Sequence, residues 1–350
     1  MNKMLIPILL TTVFQHNEIA SNQEKFFINN YGVEMTESNY KKLLSIGYTE
    51  RELDYISQIE YDNKISLKVC SVKEEKYIIK TSCKIVNDEI ISTDEHIFDE
   101  DSALFDLAQI TNNSKVSKNS TQVGYICDEY KEMHLFGVLT MNENDEYNFL
   151  VKINFDWLTT PNHLQRGNDY IAIKIADNVN ILSEVINGNS YPNFESTFMY
   201  TKDLNYYEYN YINEPVQNIG ISNIIRRIRG DDIGQYTYSM GEGLIVKHHL
   251  PSDVHESVNE IGYLKIHEEV YSDFFLTLSA NFTPVHSNIT STSFNGIYAH
   301  NKLNMPVITG IEATFISEAP YLEVGSILDD YDVLNTVILY NESDLIWPSC

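Results

Sequence analysis

The sequence predicts a mainly β protein, an antiparallel sandwich-like or barrel-like domain preceded by a small α-helical hairpin. Three observations carry that expectation. Beyond residue 60 apolar and polar residues alternate with the period of a strand. Clusters of Asn, Asp, Ser and Gly separate many such runs and no βαβ pattern repeats. Helical spacing with caps is confined to about 25 residues near the N-terminus.

Taking the elements in order, residues 1–20 have the arrangement of a signal peptide. Lys3 is followed by an apolar run over 4–14 and by polar residues up to Ala20. That run is too short to cross a bilayer, which takes about 20 apolar residues, and no later segment offers one. Residues 21–60 form the helical module. Thr36 caps a helix carrying Tyr40, Leu43 and Leu44, and Gly47 stands where a left-handed C-cap is wanted. Thr49 and Glu52 then make a capping box for a second helix bearing Leu53 and Ile56 and running to Gln58.

Residues 61–115 read as a β-hairpin and a helix at 101–110, followed by an Asn- and Ser-rich linker over 111–121. The hairpin has runs at 65–70 and 76–86, with a turn at Glu74-Glu75. Residues 116–350 form the β-rich domain. Its clearest strand places Phe149, Val151, Ile153, Phe155 and Trp157 on one face, paired through the loop 142–146 with a run over 133–141. Phe274, Leu276, Leu278, Ala280 and Phe282 repeat the alternation, and further runs fall at 170–175, 197–202, 206–212, 243–249 and 310–317.

The run 31–55, YGVEMTESNYKKLLSIGYTERELDY, resembles a module that follows the signal peptide in uncharacterised secreted proteins of low-GC Gram-positive bacteria. Trp157 and the run 166–173, RGNDYIAI, are similar to the β region of the same proteins. The resemblance implies export and a β-rich body. It brings no catalytic residues with it.

Composition narrows the function. A chain of 350 residues with 43% hydrophobic and 12% aromatic residues has the material for a folded core. Its formal net charge of −26 repels nucleic acid. The compact basic cluster Arg226, Arg227 and Arg229 is followed at once by Asp231 and Asp232, so it reads as local ion pairing on a strand or turn. The same charge balance argues against the helical module being a DNA-binding helix-turn-helix.

Cys70, Cys83, Cys127 and Cys350 allow three pairings, and no C-x-x-C motif points to zinc or to redox chemistry. His248, His249, His255 and His267 lie close in sequence to Asp253, Glu256 and Glu260 without the spacing of a metal motif. Adjacent His248 and His249 would point to opposite faces of a strand. No metal and no cofactor is expected. Asp329, Asp330, Asp332 and Asn335 do not match a calcium loop, and nucleophile and dinucleotide signatures are missing.

The candidate ligand-binding residues are Tyr207, Tyr209 and Tyr211, whose alternation would present phenol rings on one face of a strand. The reading reached is a secreted or cell-surface protein that binds without catalysis, with a surface polysaccharide or protein as partner, no nucleic acid, and no membrane span in the mature chain. Two alternatives stand beside it: a secreted carbohydrate-active hydrolase using an acidic pair in a cleft, and a non-exported structural subunit. Oligomeric state is not set by the sequence.

Overall fold

The computed structural model describes residues 26–86, 89–97, 127–144, 146–161, 166–210, 213–239, 241–260, 263–286, 289–301, 313–315, 322–324 and 331–346. The expected signal peptide over 1–20, the helix at 101–110 and the linker at 111–121 lie outside the described residues. Of the run expected at 310–317, residues 313–315 are described.

The N-terminal elements are β1 (Phe26–Ile28), β2 (Glu34–Thr36), α1 (Glu37–Ser45), α2 (Glu50–Leu53) and α3 (Gln58–Ile65). There follow β3 (Lys68–Val86), β4 (Glu89–Ile97), β5 (Cys127–Met141), β6 (Tyr147–Trp157), β7 (Asn168–Ile175) and β8 (Val179–Ile181). Then come β9 (Ser183–Ile186), β10 (Asn189–Pro192), β11 (Phe194–Asn210), β12 (Asn213–Arg229), β13 (Tyr236–Ser239), β14 (Gly243–His249) and β15 (Val254–Glu260). The chain continues through β16 (Tyr263–Pro284), β17 (Thr292–Asn301), β18 (Ala313–Phe315), β19 (Leu322–Val324) and β20 (Tyr331–Tyr340) to α4 (Glu342–Ile346).

The expected mainly β, antiparallel, sandwich-like architecture is what the chain adopts. A nine-stranded sheet has the order β12-β11-β16-β6-β5-β3-β4, with β8 and β15 also paired to β16. A five-stranded sheet, β13-β14-β7-β17-β20, faces it. Between them lies the main core, in which Phe149, Val151, Ile153 and Phe155 of β6 meet Ile171 and Ile173 of β7, Phe294 and Tyr298 of β17, and Ile338 and Tyr340 of β20. Leu276, Leu278, Ala280 and Phe282 of β16 complete the same layer. Both patterns of alternation read from the sequence therefore mark the inner face of the large sheet.

The outer face of that sheet is covered by the helical module. Thr36 accepts from the Asn39 N–H and caps α1, as expected. The helix closes with Gly47 N–H donating to the Leu44 carbonyl at 3.0 Å and Tyr48 N–H to the Leu43 carbonyl at 3.1 Å, the paired bonds of a Schellman end. Gly47 has φ +95°, and a Cβ there would lie 2.7 Å from Cδ2 of Phe136 on β5. Position and neighbour both demand glycine.

The capping box at Thr49 and Glu52 is present, but the helix it opens is a single turn ending at Leu53 rather than running to Gln58. The Asn29 side chain donates to the carbonyls of Leu53 (3.0 Å) and Ile56 (2.8 Å), holding that stretch in a turn. Ser57 then caps a third helix, α3, which the sequence reading missed.

Two further expectations are corrected. Glu74-Glu75 is not a turn, because the ladder runs unbroken through Glu74 opposite Phe136 and Glu75 opposite Leu135, making 65–70 and 76–86 parts largely of one strand. Its charged side chains reach solvent or ion pairs such as Lys76 with Glu132 at 3.4 Å, so a polar stretch remains in register. Likewise 197–202 and 206–210 belong to one long β11.

Two polar residues of β6, Lys152 and Asn154, do not face water. Lys152 is 2% exposed, and its ammonium meets Glu52 Oε1 at 2.5 Å while lying 4.4 Å from the Tyr48 ring centroid. Asn154 donates to the Gly47 carbonyl at 2.7 Å. Around these contacts Val33, Met35, Leu43, Ile46, Leu53, Ile56 and Tyr61 form a second core with Val138 and Leu150 of the sheet. Burying each such aliphatic side chain contributes roughly 1.5–3 kcal/mol.

Removing one partner of the ion pair strands the other in this interior. Lys152→Met is expected to cost about 3–5 kcal/mol in chemical denaturation. The double variant Glu52→Gln, Lys152→Met should lose less than that single change, a non-additivity that a double-mutant cycle reads directly.

Candidate functional site

Among the described residues the large sheet outruns its cover. β16 pairs with β6 only from Phe275 to Phe282, while from Glu269 to Tyr263 the same side pairs with β15. On its other side β11 follows β16 from Tyr263 to Ala280, and β12 follows β11. Past the sandwich there remains a four-stranded extension in the order β12-β11-β16-β15. No described residue among 201–207, 220–223, 254–258 and 264–270 is buried, whereas 274–280 are buried without exception.

The boundary is a β-bulge. Between Met199 and Thr201 on β11 the partner strand advances from Phe275 to Ser272, and the extra residue includes Asp273 at φ +53°. Arg51 of α2 donates to the Asp273 carbonyl at 2.7 Å and lies 5.7 Å from the Phe275 ring centroid, so the helical module clips the bulge in place.

Alternation assigns the two faces of the extension. On the face continuing the inner layer, Glu269 receives Lys202 at 2.6 Å and the Tyr271 hydroxyl, with His267 Nε2 at 3.3 Å. The hydrogen bonds from Lys202 and Tyr271 hold the Glu269 carboxyl below its usual range, and burial followed by the bond to Glu269 pushes the Tyr271 phenol up to about 12. On the opposite face, Ile221 (71% exposed) and Val270 (44% exposed) stand on either side of Asp203, and Tyr207 is opposite Ile266.

Of the three tyrosines singled out in the sequence, Tyr207 thus lies on the uncovered extension, half-buried. Tyr209 stands opposite Leu264 in the ladder, and Tyr211 lies outside the described residues.

The histidines do not converge. His248 is 3% exposed in the core and bonds Ser196 Oγ at 2.7 Å, whereas its neighbour His249 is exposed, the opposite-face arrangement expected of adjacent strand residues. His255 pairs with Glu268 at 3.0 Å, on the face of the extension opposite His267. Sequence proximity missed a different row, in which Asp169 of β7 receives the Tyr298 hydroxyl and lies 2.9 Å from His300 Nδ1. Trp157 Nε1 donates to the Tyr298 hydroxyl at 3.0 Å. Asp169 and His300 are both fully buried. Only tertiary pairing of β7 with β17 brings these residues together, and no local spacing could have announced it.

A polar cleft of about 420 Å³ lies between α3, β9 and the outer face of the large sheet, lined among others by Glu60, Lys64, Glu184, Glu195, Arg229 and Asn281. Burial, and then the nearby Glu195, raise the Glu60 carboxyl above its usual range. Glu195 itself is held by Arg227 through Oε1 at 3.3 Å and by Arg229 through Oε2 at 2.7 Å. The basic cluster lies on a strand, as expected, but Arg227 and Arg229 pair across the ladder with Glu195 of β11 rather than with the adjoining Asp231 and Asp232, and Arg227 also donates to the Tyr55 carbonyl at 2.5 Å.

No family model and no curated protein matches the chain. Among solved structures it is similar to the Clostridium perfringens NetB toxin in its membrane-inserted form, with a TM-score of 0.23 and 9% identity over 61% of this chain and 92% of that one. A likeness this slight assigns neither fold nor function. Among the described residues no helix is long and apolar enough to cross a membrane, which leaves strands unaddressed.

One buried and one half-buried group give the fold opposite responses to pH. Burial, helped by Arg226, lowers the His248 imidazole from 6.5 to about 3. Its contribution is therefore complete above pH 6.5 and drains away as pH falls toward 3. Burial, with Glu132 and Asp273 adding to it against Arg51, raises the Asp156 carboxyl from 3.8 to about 6. This group costs stability as pH rises from about 4 to 6. Melting curves across pH 4–8 should show the acid limb flattened in His248→Gln. Asp156→Asn should gain on the order of 2 kcal/mol above pH 6 and little below pH 4.

Proposed function

We propose that this is an exported protein that acts at or outside the cell surface by binding, with the four-stranded extension as its docking surface and a protein as its partner. The observation that carries the reading is that, beyond the contact of Asn223 with the Tyr55 hydroxyl at its base, no residue of the extension is buried among the described residues, although the strands composing it are continuous with the core. A sheet that is two-sided and uncovered adds little to the stability of its own chain. Ile221 and Val270, set among Asp203, Tyr207 and neighbouring polar groups, give it the mixed apolar and polar character of a non-obligate protein interface. The outermost strands, β12 and β15, end the sheet there among the described residues and offer backbone groups for strand addition. Export is supported by the N-terminal pattern and by the resemblance of the 31–55 module to secreted proteins.

The cleft supports hydrolysis less well. An acidic pair needs one carboxylate free to act as base or nucleophile. Both oxygens of Glu195 are committed to arginines, one of which, Arg227, also ties the sheet to the helical module.

The test joins location to surface. The chain should be recovered from culture medium or cell envelope lacking its first residues, and the labelled protein should bind envelope or medium proteins saturably. Ile221→Glu with Val270→Glu should weaken that binding at least tenfold while leaving the melting temperature unchanged, since both side chains are already exposed. An uncleaved cytoplasmic chain, or full binding by the double variant, would sink the reading.

A further inference from the structure

We propose that the polar cleft between α3, β9 and the outer face of the large sheet binds a small zwitterion, an α-amino acid with free ammonium and carboxylate groups, held between Glu60 and Lys64. The site is separate from the extension and does not rest on its role in docking.

Three local patterns assemble the cleft. On α3 the residues lining it, Glu60, Asn63, Lys64 and Leu67, follow the helical repeat of three and four. The sheet contributes Ser279 and Asn281, the outward positions that alternate with Leu278, Ala280 and Phe282 of the main core. The remaining wall is β9, which supplies Glu184 and Ile186 and is folded back onto β10 by a two-residue turn of Asn187 and Gly188, both at positive φ. The Asn193 N–H donates to the Leu182 carbonyl at 2.7 Å and the Asn281 N–H to the Asn193 carbonyl at 3.2 Å, which fixes this hairpin against β16.

The charges of the cleft are not matched to one another. Glu195 takes Arg227 and Arg229, but Glu60 and Lys64, one turn apart on α3, form no ion pair among the described residues, and neither does Glu184. Glu60 Oε1 accepts from the Tyr48 hydroxyl at 3.3 Å, whereas Oε2 is buried without a partner. Burial lowers the Lys64 ammonium below its usual range and raises the Glu184 carboxyl above its own. Charged groups withdrawn from water without a partner cost stability. The ligand that relieves them brings a cation to Glu60 and Glu184 and an anion to Lys64. In an α-amino acid those two groups share one carbon, and side chains at i and i+4 stand about 5–6 Å apart at Cβ, so Glu60 and Lys64 can bracket such a head group. Among the described residues no three side chains are placed to share a metal ion, which favours an organic cation. At about 420 Å³ the cleft falls within the range of roughly 300–1,000 Å³ usual for small-molecule sites, with room for a side chain beyond the head group.

Titration calorimetry of the purified full chain with each standard L-amino acid in turn tests the site. At least one should bind saturably at millimolar concentration or below, and its N-acetyl and carboxamide derivatives should each bind weaker by on the order of tenfold. Glu60→Gln should abolish the preference for the free amine over the N-acetyl form, and Lys64→Met the preference for the free carboxylate over the amide. The blocked ligands are compared on the unaltered chain, so that result stands even where a variant fails to fold. No saturable binding by any amino acid, binding that survives the blocking of either end, or folded variants that bind and discriminate as the unaltered chain does would overturn the assignment.

Discussion

The layered arrangement turns on the buried ion pair between Lys152 and Glu52. Lys152 occupies a central strand of the large sheet at a position whose side chain, by alternation, would reach water if nothing covered the sheet. An ammonium taken out of water unpaired costs several kcal/mol. It is tolerated here because Glu52 arrives at 2.5 Å with its carboxylate already oriented, Oε2 accepting from the Thr49 backbone and hydroxyl while Oε1 takes the lysine. One side chain thus completes a helix cap and neutralises a charge on the sheet. That geometry depends in turn on Gly47, which ends α1 and brings its carbonyl onto Asn154. A buried pair of this kind stabilises little against an apolar replacement, but it tolerates few other ways of docking the module.

From that contact the consequences spread along the sheet. With the module seated, Arg51 reaches the Asp273 carbonyl, and Arg227 reaches the Tyr55 carbonyl from the far edge. These bonds fall where the large sheet passes from covered to uncovered. The bulge at Asp273 lets β16 change register and leave the sandwich, and the arginine supplies a partner for the carbonyl that the bulge displaces from the ladder. The module therefore shapes the base of the extension as well as covering the outer face of the core.

Much of this was legible in the chain, and what was missed has a common cause. Alternation in 149–157 and 274–282 identified the inner face because those side chains meet a second apolar sheet. Thr36, Gly47, Thr49 and Glu52 identified caps because capping is local chemistry. The same alternation implied that Lys152 and Asn154 faced solvent, since a polar residue on a strand looks alike whether water or a helical module receives it. Glu74-Glu75 looked like a turn because charge and loop composition coincide, yet a paired strand accepts charge wherever its side chains find solvent or a counterion. The Asp169, Tyr298 and His300 row was invisible because it exists only once β7 and β17 are neighbours. Tyr207 was singled out on composition, and composition could not say that β16 would part from β6 beyond the bulge at Asp273.

An uncovered sheet must avoid indiscriminate pairing with other sheets, and the extension carries the means to do so. Its faces hold ion pairs, Lys202 with Glu269 and His255 with Glu268, where a core strand has aliphatic side chains. Along β12, the edge strand, Pro215 removes one donor and Gly220 one side chain. Such features lower affinity for a generic strand while leaving Ile221 and Val270 exposed. A surface guarded against unspecific pairing yet apolar at chosen points is what recognition of a particular partner requires.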